Sequence, residues 1–232
     1  MEKKTIGIIG GMGPLATADL FRKIVLHTEA KTDQEHLRIL IDNNTAIPDR
    51  TAAIIVGKES PVPQMVASAT LLAQMGAQLL IMPCNTAHGF HGAVQACVDI
   101  PVLHMIELTC QALIKRGVRR AALLATRGTV RSGVYQAAFA GSGITLITPN
   151  EEQESVIMDL VYSGVKAGKR DYDVTAARRV MNGMIDDGAE VLILGCTELP
   201  IAMEMYGLGY NTCDATLELA LGAIRAAGGR CI

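Results

Sequence analysis

The chain has 232 residues, half of them hydrophobic, with 21 Lys plus Arg against 23 Asp plus Glu and a net charge of -2 at pH 7. That balance, with no basic run to follow a phosphate backbone, argues against a nucleic-acid partner, and no apolar run has the length of a membrane span or a signal peptide. Aromatic residues are few and Ala, Ile, Leu, Val, Met and Gly dominate, a composition suited to strands buried between helices in one domain or two small lobes.

Taken in chain order, the first apolar run, Thr5–Ile9, reads as a strand leaving into Gly10-Gly11-Met12-Gly13-Pro14-Leu15-Ala16, where Pro14 suits a helix start. The G-x-G-x-x-A spacing, with Asp42 after the second strand (Leu37–Ile41), resembles a dinucleotide fingerprint. The same turn serves equally to aim backbone N–H groups at a substrate carboxylate. In the loop Ile47-Pro48-Asp49-Arg50-Thr51, Asp49-Arg50 is either a surface ion pair or a means of presenting the Arg50 fork to a carboxylate. The third strand, Gln78–Met82, ends in Pro83-Cys84-Asn85-Thr86, with His88 and His91 at helical spacing from Cys84. A metal site or a Cys84–His88 hydrolase dyad is conceivable there, but no further ligand or orienting residue announces itself.

The fourth and fifth strands are expected at Val118–Leu124 and Ile144–Ile147, the fourth leaving into Ala125-Thr126-Arg127-Gly128. Lys166 follows in the stretch Tyr162–Gly168, its role as open as that of Arg50. The sixth strand, Glu190–Leu194, ends in Gly195-Cys196-Thr197-Glu198, and Asp214–Ala227 reads as a closing helix.

Six cysteines without a secretion signal or a C-x-x-C pair read as reduced thiols of a cytoplasmic protein. Two of them stand at equivalent places. Residues 76–84 (Gly-Ala-Gln-Leu-Leu-Ile-Met-Pro-Cys) align without a gap with residues 188–196 (Gly-Ala-Glu-Val-Leu-Ile-Leu-Gly-Cys), each after a helical stretch. Core packing asks only for a small apolar residue at a strand end and gives no reason to repeat a cysteine among polar neighbours. The repeat implies two similar Rossmann-like α/β lobes with parallel sheets, residues 1–104 and 105–211, with 212–232 a C-terminal helix returning to the first lobe. Ligands of such lobes bind beyond the carboxyl ends of the strands, in this case the cleft between lobes related by a pseudo-two-fold axis. Two thiols would then face one point from opposite sides, a geometry suited to moving a proton across a stereocentre.

With these residues in hand, the chain resembles the aspartate/glutamate racemases that work without pyridoxal phosphate. The resemblance is carried by Gly7-Ile8-Ile9-Gly10-Gly11-Met12-Gly13-Pro14, Ile47-Pro48-Asp49-Arg50, Pro83-Cys84-Asn85-Thr86-Ala87-His88, Ala125-Thr126-Arg127-Gly128-Thr129 and Leu194-Gly195-Cys196-Thr197-Glu198-Leu199. It implies a cofactor-independent, frequently dimeric enzyme in which Cys84 and Cys196 are the acid/base pair and Asn85, Thr86 and Thr197 surround the α-carboxylate. Arg50 and Lys166 match positions near the substrate, Met12 and Thr126 would line the cleft, and Glu198 would stand behind the reacting groups. Glutamate racemases proper carry an Asp-Ser pair in the first glycine loop and a His after the second Cys-Thr; this chain has neither, so the aspartate branch is closer. Neither nicotinamide, pyridoxal phosphate nor metal is expected. A decarboxylase or cis–trans isomerase of diacids, a dinucleotide-dependent oxidoreductase and a non-catalytic amino-acid binding protein are the competing readings.

Overall fold

The structure, a computed structural model, describes residues 3–232. Strand β1 (Ile6–Gly10) is buried at every position, as an apolar run must be when helices cover both faces of a parallel sheet. It leads through α1 (Pro14–His27), β2 (Ile39–Asn43), α2 (Arg50–Val56), α3 (Val62–Gln74), β3 (Leu79–Ile81), a 3-10 turn at Thr86–Phe90 and α4 (His91–Gln95) to α5 (Met105–Lys115). The chain then runs through β4 (Arg120–Ala125), α6 (Arg127–Arg131), α7 (Val134–Phe139), β5 (Thr145–Ile147), α8 (Glu151–Asp159), a π-helical turn at Leu160–Lys166 and α9 (Thr175–Asp186). It closes with β6 (Val191–Gly195), α10 (Leu199–Met205), β7 (Thr212–Asp214) and α11 (Ala215–Ala226).

Two wholly parallel sheets result, ordered β2-β1-β3 and β5-β4-β6-β7. The first three strands of each half take the same order, with β1 and β4 central. Side chains alternate between faces with the two-residue period of a strand. Leu79 and Ile81 join the core formed with α1 and α11, while Leu80 and Met82 join the core under α3. In the second sheet Leu192 and Leu194 pack under α8 to α10, and Val191 and Ile193 under α5 and α7.

The six expected strands are present with ends displaced by at most two residues. Two elements were not foreseen. Strand β7 is three residues without an apolar run and exists because Cys213 and its neighbours pair with β6. The π-helical turn extends α8 and has no sequence signature of its own; such turns recur at functional sites.

Helix α11 begins at the cap Asp214, whose Oδ1 accepts from the N–H groups of Thr216 and Leu217 at 2.8 and 3.2 Å. Its other oxygen meets buried Lys23 of α1 at 2.7 Å, and Lys23 also pairs with Asp19. Leu219, Ala220, Ala223 and Ile224 of α11 share a core with Ile6, Ile8, Leu20 and Ile24.

The glycine loop after β1 is a packing device. Gly11 has φ of 89°, and a Cβ there would lie 2.3 Å from the backbone of Asn44, so only glycine fits. Its N–H donates to Thr17 Oγ1 at 3.0 Å. That donor is spent inside the protein, which removes support from a dinucleotide cradle.

Candidate active site

The polar loops that follow β1, β2, β3, β4 and β6, together with the π-helical turn, converge on one narrow cleft. Its walls include Met12, Arg50, Cys84, Asn85, Thr86, Thr126, Lys166, Cys196, Thr197 and Glu198, so the residues that the family resemblance assigns to the site lie together, whereas Asp42, His88 and His91 do not line it. Asp49, Thr51, Val161, Tyr162 and Gly195 complete it. Tyr162 escaped the sequence reading, although its spacing of four from Lys166 was a usable signal for residues on one helical face.

Cys84 stands just beyond β3, its N–H bonded to the Met82 carbonyl at 2.9 Å. The Cys84 carbonyl accepts from Nδ1 of His88 at 2.9 Å, while His88 Nε2 accepts from the N–H of Met105 at 3.0 Å. Both ring nitrogens are therefore engaged with backbone. Burial, reinforced by His104, lowers the His88 pKa to about 3. His88 is a neutral brace with no lone pair left for a metal or for the Cys84 thiol, which disposes of the dyad reading. His91 turns aside to the Val102 carbonyl at 2.7 Å.

Cys196 directly follows β6 and is 8% exposed. Its thiol donates to Glu198 Oε2 at 3.0 Å, and the Thr197 hydroxyl donates to the same oxygen at 3.1 Å. Burial first, and the Glu198 charge second, push the Cys196 pKa well above the ordinary thiol range, so this cysteine rests protonated. Glu198 Oε1 meets Lys166 Nζ at 3.3 Å. That ammonium also lies over the Tyr162 ring, 4.8 Å from its centroid. Burial, the largest single influence, would lower the Lys166 pKa, but the charge of Glu198 and its hydrogen bond, with Tyr162 and Cys196, together outweigh it and the net shift is upward, keeping the cation. A Cβ on Gly13 would stand 3.8 Å from Glu198 Oε1, so the glycine loop brings its backbone close to this carboxylate.

Arg50 opens α2 directly after the cap Asp49, which accepts from the Ala52 N–H at 2.7 Å. Its Nη1 donates to the carbonyls of Ile47 and Pro48 at 3.3 and 3.0 Å, and its Nη2 to that of Met12 at 3.0 Å. Nε remains, buried and without a partner among the described residues. Asn85 Nδ2 is a second buried donor that meets no partner among them. The hydroxyl of Thr86 meets those of Thr126 and Thr129 at 3.2 and 2.8 Å, joining the loop after β3 to the loop after β4. Two cations and two unpaired donors around two thiols make a site suited to an anionic ligand whose proton is moved.

Comparison with known proteins agrees with this chemistry. The model of the Asp/Glu/hydantoin racemase family matches residues 9–207. The structure of an aspartate racemase from Picrophilus torridus superposes with a TM-score of 0.88 at 32% identity, over 99% of this chain and 96% of that one. The broad-specificity amino-acid racemase RacX of Bacillus subtilis (strain 168) is 24% identical over 205 residues, 86% of this chain and 87% of RacX. A glutamate racemase of Geobacter metallireducens is 28% identical over 183 residues, 75% of this chain and 65% of that protein.

Proposed function

Because the chain belongs to the Asp/Glu/hydantoin racemase family and is an amino-acid racemase, we propose that it interconverts the enantiomers of an acidic amino acid, aspartate or glutamate, with Cys84 and Cys196 as the two bases. The observation that carries this reading is the pair of thiols from corresponding strand ends, β3 and β6, lining one cleft with Arg50, Lys166 and Asn85, whose Nδ2 has no partner among the described residues. A Cα–H is far less acidic than a thiol, whose reference pKa is about 8.5, so the carbanion needs its carboxylate held by donors. Asn85, Thr86 and Thr197 supply them, and Lys166 takes the side-chain carboxylate.

In one direction the Cys84 thiolate removes the Cα proton and becomes a thiol, while the Cys196 thiol protonates the opposite face and becomes a thiolate. The reverse transfer serves the other enantiomer. Glu198, hydrogen-bonded to Cys196, is the acceptor through which that thiol is made ready as a base. Each step closes on side chains of this chain.

Residues 1–104 and 105–211 are in this reading the two lobes that each bring one thiol, with 212–232 closing the structure. The repeated strand order supports it, β7 being the part of 212–232 that stays with the second sheet. The six cysteines are free, as thiol catalysis requires, which supports a cytoplasmic enzyme. Exposed Leu15, Phe21 and Leu26 on α1 support a homodimer, to be weighed by sedimentation.

The test is incubation with L-aspartate, L-glutamate and neutral L-amino acids without added cofactor, followed by chiral chromatography. The D-form of an acidic substrate is expected. Turnover confined to neutral amino acids would overturn the substrate, and its absence throughout would overturn the activity.

A further inference from the structure

Asn85 is 2% exposed and its amide has two unlike ends. Oδ1 accepts a hydrogen bond of 2.7 Å from the hydroxyl of Tyr135, whereas Nδ2 has no partner among the described residues. Tyr135 belongs to α7, on the far side of the cleft in sequence, and is fully buried against Phe139 with ring centroids 5.9 Å apart. We propose that Tyr135 is a positioning residue that fixes the Asn85 amide with its NH2 group toward the cleft, so that the site takes a carboxylate and rejects a carboxamide at that point.

The argument is one of hydrogen-bond polarity. A phenol carries a single hydrogen, and a buried O–H without an acceptor costs about 1–3 kcal/mol. Asn85 Oδ1 is the acceptor that the structure gives to Tyr135. Turning the amide over would let Nδ2 donate to the phenol oxygen, but would strand the phenol hydrogen and aim a carbonyl at an anion. Burial pushes the Tyr135 pKa well above the ordinary phenol range, with the charges of Cys213, Cys196 and Asp214 adding to it. The hydroxyl therefore stays a donor over the working pH range. The packed ring allows it little movement, and the polarity it imposes passes through Asn85 to the cleft beside Cys84 and Thr86.

This inference rests on the reading of Asn85 as a donor to the substrate α-carboxylate, and a double-mutant cycle separates the two. Tyr135→Phe removes only the hydroxyl and is expected to lower kcat/KM on aspartate roughly 10- to 100-fold, the size of one lost charge-directed hydrogen bond. Asn85→Ala should lower it at least as much. The double variant should fall no further than Asn85→Ala alone, because Tyr135 acts through the amide. Inhibition by isoasparagine, aspartate with its α-carboxylate replaced by a carboxamide, supplies a readout that a merely structural role would not move. The native enzyme should favour aspartate strongly over isoasparagine. Tyr135→Phe should erase most of that preference, because the freed amide can turn and accept from the carboxamide.

Additive losses in the cycle, or an unchanged preference with both affinities weakened alike, would overturn the role of Tyr135 while leaving Asn85 as a donor. Full activity in Asn85→Ala would overturn both. Should Tyr135→Phe not fold, Asn85→Asp keeps an acceptor for the phenol while replacing the NH2 group by an anionic oxygen. It should lose aspartate binding and retain isoasparagine; the opposite order would overturn the proposal.

Discussion

The thiol of Cys196 donates to Glu198 at 3.0 Å, and the other oxygen of that carboxylate pairs with Lys166 at 3.3 Å. One carboxylate thus joins the Cys196 sulfur to a cation at the cleft wall, and the state of either end is felt at the other. Glu198→Gln removes the charge that helps hold Cys196 protonated, so the Cys196 titration should move to lower pH. Lys166→Met removes a cation that favours the thiolate and should move it to higher pH. Ultraviolet thiolate absorbance in a Cys84→Ala background measures both. Shifts of the same sign in the two variants would refute this electrostatic arrangement. With its proton acceptor gone, Glu198→Gln should also lose on the order of 10²-fold in kcat/KM.

Cys84→Ala and Cys196→Ala should each lower turnover by at least about 10²-fold while the fold persists. In heavy water, the product formed early from the L-enantiomer should carry solvent deuterium at Cα. The recovered substrate should stay largely unlabelled, because each face meets its own thiol in a cleft of restricted water access. Mass spectrometry of the separated enantiomers at low conversion decides this. Early product retaining the substrate's own hydrogen would point to one swinging base.

Lys166 and Arg50 should differ in what their loss does. Lys166→Ala should weaken turnover of dicarboxylic amino acids about tenfold or more relative to alanine and serine, since the lost cation pairs with the side-chain carboxylate. Arg50 holds the carbonyls of Ile47, Pro48 and Met12 together, so Arg50→Ala should loosen the loop and lower turnover of every substrate alike. Steady-state comparison of acidic with neutral substrates distinguishes them, and a uniform loss in Lys166→Ala would count against its assigned partner.

His88, with its pKa lowered to about 3, makes stability acid-sensitive. The unfolded chain takes up this proton below about pH 6.5 while the folded protein does not, so the stability contribution is full above that pH and falls as pH drops toward the folded value. The loss between about pH 7 and about pH 4.5 should be roughly 2–3 kcal/mol from this group. Denaturant melts at the two pH values should show a smaller difference in His88→Asn. An equal pH dependence in that variant would assign the acid sensitivity elsewhere.

The sequence by itself determined the alternation of strands and helices, because burial of strands on both faces writes itself as apolar runs, and the repeated Gly-Ala-to-Cys segment marked two strand ends that meet at the cleft. Family resemblance added Arg50, Lys166 and the polar neighbours of both thiols. Only the tertiary structure decided what each polar group meets. Tyr135 reaches Asn85 across 50 positions, and Lys166 reaches Glu198 from a π-helical turn that no periodicity announced. The glycine loop shows the same limit, since its spacing suits a phosphate while Thr17 and Asn44 decide that its first N–H is occupied and its backbone packed. Apolar periodicity is a local property, set by which face of an element is buried. The partner of a buried donor or acceptor is set by the geometry in which distant elements pack, because desolvation makes an unmatched polar group costly wherever the fold leaves it.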